Sequence, residues 1–336
     1  MENLSEPVLI VGAGPTGIAC AIELGLRNVS ALCLERAAIL DSIYHFPEEM
    51  RWFSTRDLLD IAGVPFTSAE AHPTRLESLA YYRGVAERFG VGVRPETAVE
   101  KVEPRPGGGV VVSARNRRGL ERLGAPAAVL ATGFFPNPRR LGVPGEAAPH
   151  VHARYVSGYP FHARDVVVVG GKNSAAEAAL DLYRHGARVT MVVRAAAISE
   201  RVKYWIKPDL ENRIAAGAIR AYFRSTVLEI GLDSVRISTP EGEKQIRAEA
   251  VFPLVGYEPD FALFERCGIR LEGENRVPAH DPETLESNVP ALYLAGAILG
   301  GREIGKIFIE NSRHHAGMIA AAIARRLETA TVGGLP

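Results

Sequence analysis

Two glycine-rich stretches carry the residue types best suited to chemistry. In the first, Gly12-Ala13-Gly14-Pro15-Thr16-Gly17 follows the apolar β-former run Val8 to Val11 and leads into a helical stretch, Ile18 to Leu26. Strand, tight turn and helix in that order make a pyrophosphate cradle. Gly12 forms the turn, Gly14 lets the backbone approach the phosphates, Gly17 permits close helix packing, and the helix N-terminus attracts the anion. After another strand-like run, Ser30 to Leu34, comes Glu35, at the spacing where a carboxylate binds a ribose hydroxyl pair.

In the second stretch, Gly170-Gly171-Lys172-Asn173-Ser174-Ala175 lies between the run Val166 to Val169 and the helical run Ala176 to His185. The chain repeats its own opening, which implies two dinucleotide-binding units. Lys172 stands where the fingerprint has its second glycine, and an ammonium beside phosphate offsets the backbone's greater distance electrostatically. The next strand, Ala187 to Val193, ends in Arg194 instead of an acid. A guanidinium there favours the 2′-phosphate of NADP by bidentate, charge-assisted bonding.

The elements that position these loops follow a plan. Thr97 to Glu103 and Gly109 to Ala114 read as a small β-meander joined by the turn Pro104 to Gly108, and Ala127 to Ala131 runs into Thr132-Gly133 before the proline-rich Phe134 to Pro149. The arrangement recurs with Val227 to Ile230, Val235 to Ser238, and Val251 to Val255 closing on Gly256. A further strand, Ala291 to Ala295 with Gly296, and the alanine-rich helix Ile307 to Leu327 complete the first sheet. The expected class is α/β, with two Rossmann-like domains, the second inserted into the first: residues 1–150, then 151–260, then 261–336.

Composition narrows the functions. Of 336 residues, 39 are Lys or Arg and 39 are Asp or Glu, so no basic field exists to hold nucleic acid or anionic lipid. At 47% hydrophobic and 23% charged the chain is globular, and no apolar run is long enough to span a bilayer. The start MENLSEP has neither the basic n-region nor the cleavage site of a secretory signal, so a cytoplasmic address is expected. Cys20, Cys33 and Cys267 are odd in number and far apart, which argues against a disulfide framework and a metal site, and no CxxC occurs.

This two-unit plan resembles the thioredoxin-reductase-like flavoproteins, whose first site binds FAD and whose second binds NADPH. Ser42-Ile43-Tyr44-His45-Phe46-Pro47, Phe53-Ser54-Thr55, His72-Pro73-Thr74-Arg75, Gly170 to Ala175 and Ile307-Phe308-Ile309-Glu310-Asn311 resemble, more narrowly, the bacillithiol disulfide reductase (YpdA-type) family. That family also shows a lysine at the position of Lys172. The resemblance implies FAD contacts from Gly12, Gly14, Pro15, Thr16, Gly17, Glu35, Tyr44, Thr132, Gly133, Gly296 and Ala297, the last pair standing where thioredoxin reductases place Gly-Asp on the flavin ribityl chain. It implies NADPH contacts from Gly170, Gly171, Lys172, Asn173, Ser174 and Arg194.

One departure concerns the chemistry. The family carries a redox cysteine in the first glycine loop, as GxGPCG, and Thr16 holds that position here. A hydroxyl cannot enter thiol–disulfide exchange, which requires a thiolate. Cys20, one helical turn further on, is the candidate substitute, although its apolar neighbours Ile18 to Ile22 suit a packing role. His45, His314 and His315 are the protonatable groups expected near the flavin, His315 being the one assigned to catalysis with Thr16 and Cys20.

Three functions fit. The first is an NADPH-dependent, FAD-containing reductase of a low-molecular-weight disulfide such as bacillithiol disulfide. The second keeps both cofactors but sends electrons to a quinone, ferredoxin or oxygen, which need no cysteine. The third is a dinucleotide-binding sensor without turnover. Gly158 and His162 match part of a flavin-monooxygenase signature, but the strand at Val166 follows too closely. The partner is a small electron acceptor, and homo-oligomerisation is left open.

Overall fold

The structure is a computed structural model, and it describes residues 6–303 and 305–332. The first five residues of the polar start therefore lie outside the described residues. The chain divides into two compact units, one made of Met1–His45, Arg51–Asn137 and Glu258–Pro336, the other of Phe46–Met50 and Pro138–Tyr257.

The first unit opens with β1 (Val8–Val11), α1 (Pro15–Gly25), β2 (Ala31–Leu34), the single turn α2 (Asp41–Tyr44), α3 (Arg75–Arg88) and β3 (Val93–Arg94). A three-stranded antiparallel meander follows, β4 (Ala98–Pro104), β5 (Val110–Asn116) and β6 (Gly119–Ala125), then β7 (Ala128–Leu130). In the second unit come β8 (Asp165–Val169), α4 (Asn173–Arg184), β9 (Arg188–Val193), α5 (Lys207–Ala215) and β10 (Arg220–Phe223). Another meander, β11 (Thr226–Ile230), β12 (Ser234–Thr239) and β13 (Gly242–Arg247), precedes β14 (Ala250–Pro253). The chain returns to the first unit with α6 (Phe261–Arg266), β15 (Leu271–Glu272), β16 (Val277–Pro278), β17 (Leu292–Leu294) and α7 (Ile309–Val332).

Both main sheets are parallel, in the orders β17-β7-β1-β2-β3 and β10-β9-β8-β14. Both faces of such a sheet must be covered, and in the second unit α4 covers one face while the meander β11–β13 covers the other. In β8, Val166 and Val168 enter one core cluster while Val167 and Val169 enter another. In the first unit all four residues of β1 are buried, and α1 packs along α7. No helix among the described residues is long and apolar enough to cross a membrane.

Several boundaries differ from the sequence expectation. The second unit begins at Pro138 rather than at 151, because the stretch before 151 bonds to that unit's strands. The Arg139 N–H donates to the Gly256 carbonyl at 2.9 Å, the Ile230 N–H to Pro144 at 3.0 Å, and the Val251 N–H to His150 at 2.9 Å. The chain returns at Glu258 rather than at 261, and residues 46–50 belong to the second unit, where the Glu48 N–H donates to the Val156 carbonyl at 2.9 Å. Helix α1 begins at Pro15, ahead of the expected Ile18, because proline at the first turn forfeits no needed donor. Strand β6 and helix α3 add to the expected elements. The helix carries a capping box in which Thr74 accepts from the Glu77 N–H and Glu77 accepts from the Thr74 N–H. Gly158 and His162 have packing roles: a Cβ on Gly158 would meet the Asp181 carbonyl oxygen at 2.9 Å, and His162 Nδ1 bonds the His185 carbonyl at 2.9 Å.

Candidate active site

The first glycine loop joins the ends of three neighbouring strands. The Gly12 N–H donates to the Leu34 carbonyl at 2.9 Å, and a Cβ on Gly12 would come 2.7 Å from the Ala131 carbonyl oxygen. With φ at +105°, this position favours glycine on conformational grounds as well. A Cβ on Gly17 would overlap the Gly12 carbonyl, whereas nothing lies within 4 Å of one on Gly14. The N-terminus of α1, beside that open space, has no side-chain cap, and Pro15 at its first position carries no N–H.

Glu35 closes one side of the loop. Its Oε2 accepts from the Ala13 N–H at 2.8 Å and its Oε1 from the Ala37 N–H at 3.1 Å. The Thr132 hydroxyl is buried and has no hydrogen-bond partner. A Cβ on Gly133 beside it would meet nothing within 4 Å. The segment leading to Tyr44 is fastened to the loop, since the Leu40 N–H donates to the Ala13 carbonyl at 3.1 Å. Tyr44 itself is exposed, with the Arg75 guanidinium 6.0 Å from its ring centre.

The second loop repeats this construction. The Gly170 N–H donates to the Val192 carbonyl at 3.0 Å, and a Cβ on Gly170, whose φ is +137°, would come 2.5 Å from the Leu254 carbonyl oxygen. Leu254 therefore plays the part of Ala131. Lys172 caps α4 in extended backbone (φ −111°), where any residue fits, and both Lys172 and Ser174 are exposed. The side-chain amide of Asn173 is tied to the backbone, its Nδ2 donating to the Arg201 carbonyl at 3.0 Å and its Oδ1 accepting from the Lys203 N–H at 2.8 Å.

The strand register corrects the reading of Arg194 as a replacement for the acid. Val169 pairs with Val192 as Val11 pairs with Leu34, so the counterpart of Glu35 is Val193, and Arg194 corresponds to Arg36. Val193 is buried against Gly171, where a Cβ would meet its Cγ1 at 2.7 Å, while Arg194 is exposed one residue further on. The carboxylate position is thus filled by an uncharged side chain, with the guanidinium beside it.

At the position of the missing redox cysteine, a Cβ on Gly296 would lie 3.0 Å from Thr16 Oγ1, so the hydroxyl faces the turn after β17. The Gly296 N–H donates to His315 Nδ1 at 3.1 Å. Burial, reinforced by His280 and His314, lowers the His315 pKa to about 4. The ring is neutral at pH 7, and the proton it keeps is on Nε2. His45 bonds through Nδ1 to the Asp41 carbonyl at 2.9 Å, and His314 is exposed. Ala297, half-buried, lies in the single 3-10 turn Gly296–Gly300.

The cysteines do not supply the missing thiol. Cys20 is fully buried, and burial, with Cys33 and Glu23 adding to it, pushes its thiol far above the ordinary cysteine range. Burial raises Cys33 to about 12, with Glu35 adding to the effect. Cys267 is raised by burial too, and its Sγ accepts from the Val102 N–H at 3.2 Å. Exchange requires an accessible thiolate, so Cys20 is corrected from candidate nucleophile to packing residue. The spacing of one turn from Thr16 was not enough, because α1 buries that part of its surface against β2.

The family model for pyridine nucleotide-disulphide oxidoreductases matches residues 9–296. The chain belongs to this family. It is 36% identical over 326 residues to the bacilliredoxin reductase Bdr of Bacillus subtilis, covering 96% of this chain and 99% of the relative. The solved bacillithiol disulfide reductase Bdr from Bacillus cereus superposes with a TM-score of 0.93 at 36% identity, covering 96% of this chain and 99% of that one. The thioredoxin reductase of T. acidophilum shares the fold, with a TM-score of 0.74 at 20% identity, over 96% of this chain and 99% of that one.

The chain is accordingly an oxidoreductase, and its cofactors are FAD and NADPH. The residues present fit dinucleotides on three observations: two uncapped helix N-termini behind glycine turns, open space at Gly14, and the orphaned Thr132 hydroxyl. Sequence reading missed the pairing of His315 with Gly296 and the fastening of Arg201 and Lys203 to Asn173. Both join residues 19 or more positions apart, and no local signal marks them.

Proposed function

We propose that the chain is an NADPH-dependent reductase of a low-molecular-weight disulfide of the bacillithiol type, with FAD in the first unit and NADPH in the second. The observation that carries this reading is the full-length likeness to the bacillithiol disulfide reductases, which includes both glycine loops. The bound cofactors supply the hydride relay from nicotinamide to flavin and on to the acceptor. Gly12, Gly14, Pro15 and Gly17 shape the FAD pyrophosphate cradle, Glu35 orders it, and Thr132, Gly133, Gly296 and Ala297 border it. Gly170, Gly171, Lys172 and Ser174 form the NADPH cradle, with Arg194 at the 2′-phosphate. His315 stays neutral and holds the Gly296 turn beside Thr16. The free thiols and the absence of a disulfide framework suit a cytoplasmic protein.

A second reading, electron delivery to an acceptor that needs no thiol, is favoured by one observation: Thr16 occupies the redox position and all three cysteines are buried. A stopped-flow acceptor screen on purified protein separates the two. Flavin reduced by NADPH and reoxidised by bacillithiol disulfide within turnover supports the first reading. Reoxidation by quinone, ferredoxin or oxygen alone supports the second. Absence of any flavin after denaturation and mass analysis, with no FAD uptake on reconstitution, removes both and leaves the sensor.

A further inference from the structure

Asn173 is the first residue of α4, and its side-chain amide is spent inside the protein. Nδ2 holds the Arg201 carbonyl and Oδ1 holds the Lys203 N–H, so one side chain clamps both ends of a three-residue stretch. Satisfying a donor and an acceptor at once fixes the amide's orientation. Two residues before that stretch, the Ser199 N–H donates to the Gly171 carbonyl at 2.9 Å, a separate tie to the loop. Beyond it, Lys203 is buried, ion-paired with Glu177 on α4, and its ammonium lies 5.8 Å from the Trp205 ring centre. Breaking a buried pair leaves a stranded charge, so Lys203 anchors the stretch firmly.

Between these fixed points, Arg201 remains exposed. Its backbone is held against the start of α4, the end of the helix that favours anions, and its guanidinium is free to meet phosphate. We propose that Asn173 is a positioning residue for nucleotide specificity: it holds Arg201, alongside Arg194, at the 2′-phosphate and does not itself bind the nucleotide through its side chain. This rests on the reading of the second unit as the NADPH site. A guanidinium selects phosphate only when its fork is presented in a fixed geometry, and a loose loop would surrender that selectivity while the pyrophosphate cradle stayed intact.

The test uses the FAD-loaded full chain with two probes, adenosine 2′,5′-bisphosphate and 5′-AMP, whose binding is measured by calorimetry. Backbone protection of Lys203 is read by hydrogen exchange. The parent chain should prefer the bisphosphate. Asn173→Ala should lower that preference about tenfold, the loss of one positioned charge-assisted bond, with 5′-AMP affinity within about twofold of the parent. The Lys203 amide should lose protection in the same variant. Asn173→Asp keeps an acceptor for Lys203 but sets a carboxylate against the Arg201 carbonyl; it should show the same loss of preference, and it serves if Asn173→Ala folds poorly. Equal weakening of both probes would mean a merely structural role and overturn the proposal. A Lys203 amide that exchanges freely while the preference stands would overturn it as well. If Arg201→Ala loses the preference and both Asn173 variants keep it, the clamp alone is wrong. If the parent chain shows no preference, the NADPH reading fails with it.

Discussion

Val193 occupies in the second unit the place that Glu35 holds in the first. Each follows the residue whose carbonyl accepts from the leading glycine of its loop, Val192 for Gly170 and Leu34 for Gly12. Glu35 accepts from the Ala13 N–H, whereas Val193 packs on Gly171, the counterpart of Ala13. A carboxylate there would bind a bare ribose and repel a 2′-phosphate; a valine does neither.

Restoring the acid should therefore turn the nucleotide preference. Val193→Glu is expected to raise the KM for NADPH at least about tenfold while changing that for NADH less, since a carboxylate beside a phosphate costs about 1.4 kcal/mol or more. Val193 is 1% exposed, so the variant's thermal midpoint must be checked alongside. An unchanged NADPH/NADH ratio in a folded variant would show that the nucleotide ribose lies elsewhere.

Arg194→Ala removes the exposed guanidinium next to that position. A hydrogen bond to a charged group contributes about 1.5 to 3 kcal/mol, so NADPH preference should fall roughly 10- to 150-fold in flavin-reduction kinetics. Retention of the full preference would leave Arg201 as its source.

Thr16→Cys should bring in the thiol that disulfide exchange needs. The hydroxyl faces the Gly296 turn rather than the apolar interior that seals Cys20, so a sulfur there has access and a helix N-terminus to stabilise its thiolate. Turnover with bacillithiol disulfide is expected to rise, most clearly if the parent chain reduces it slowly. Efficient reduction by a variant lacking all three native cysteines, without Thr16→Cys, would show that Thr16 is no break in function.

His315 makes stability depend on acid. Its pKa of about 4 in the folded chain lies below the value of about 6.5 of a free imidazole. Between these two pH values the unfolded chain binds a proton that the folded chain refuses, so stability falls as pH drops through that window. His315→Asn keeps an acceptor for the Gly296 N–H and removes the titration. Its melting midpoint should decline less than the parent's between pH 7 and pH 5, and an equal decline would contradict the assignment.

The native thiols should be silent. Burial holds Cys20, Cys33 and Cys267 as thiols at neutral pH, so an aromatic disulfide reagent should label none rapidly in the folded chain and all three after denaturation. Rapid native labelling at Cys20 would reinstate it as a nucleophile.

The sequence by itself determined the two strand-turn-helix units, because a turn needing glycine, a helix start and a run of buried β-formers are set by neighbours a few residues apart. It also placed Glu35 at its loop, and it made α3 legible through Thr74 and Glu77, three positions apart, though that signal went unread. Tertiary structure decided what depended on distant partners. Arg194 and Val193 are adjacent, and only the pairing of β8 with β9 says which of them faces the loop. Cys20 lies one turn from Thr16, yet packing against β2 and not helical spacing fixes its burial. His315 meets Gly296, and Asn173 meets Lys203, because separate elements are brought together when the sheets bury both faces. Such contacts follow from how whole elements pack, and a linear pattern carries no record of them.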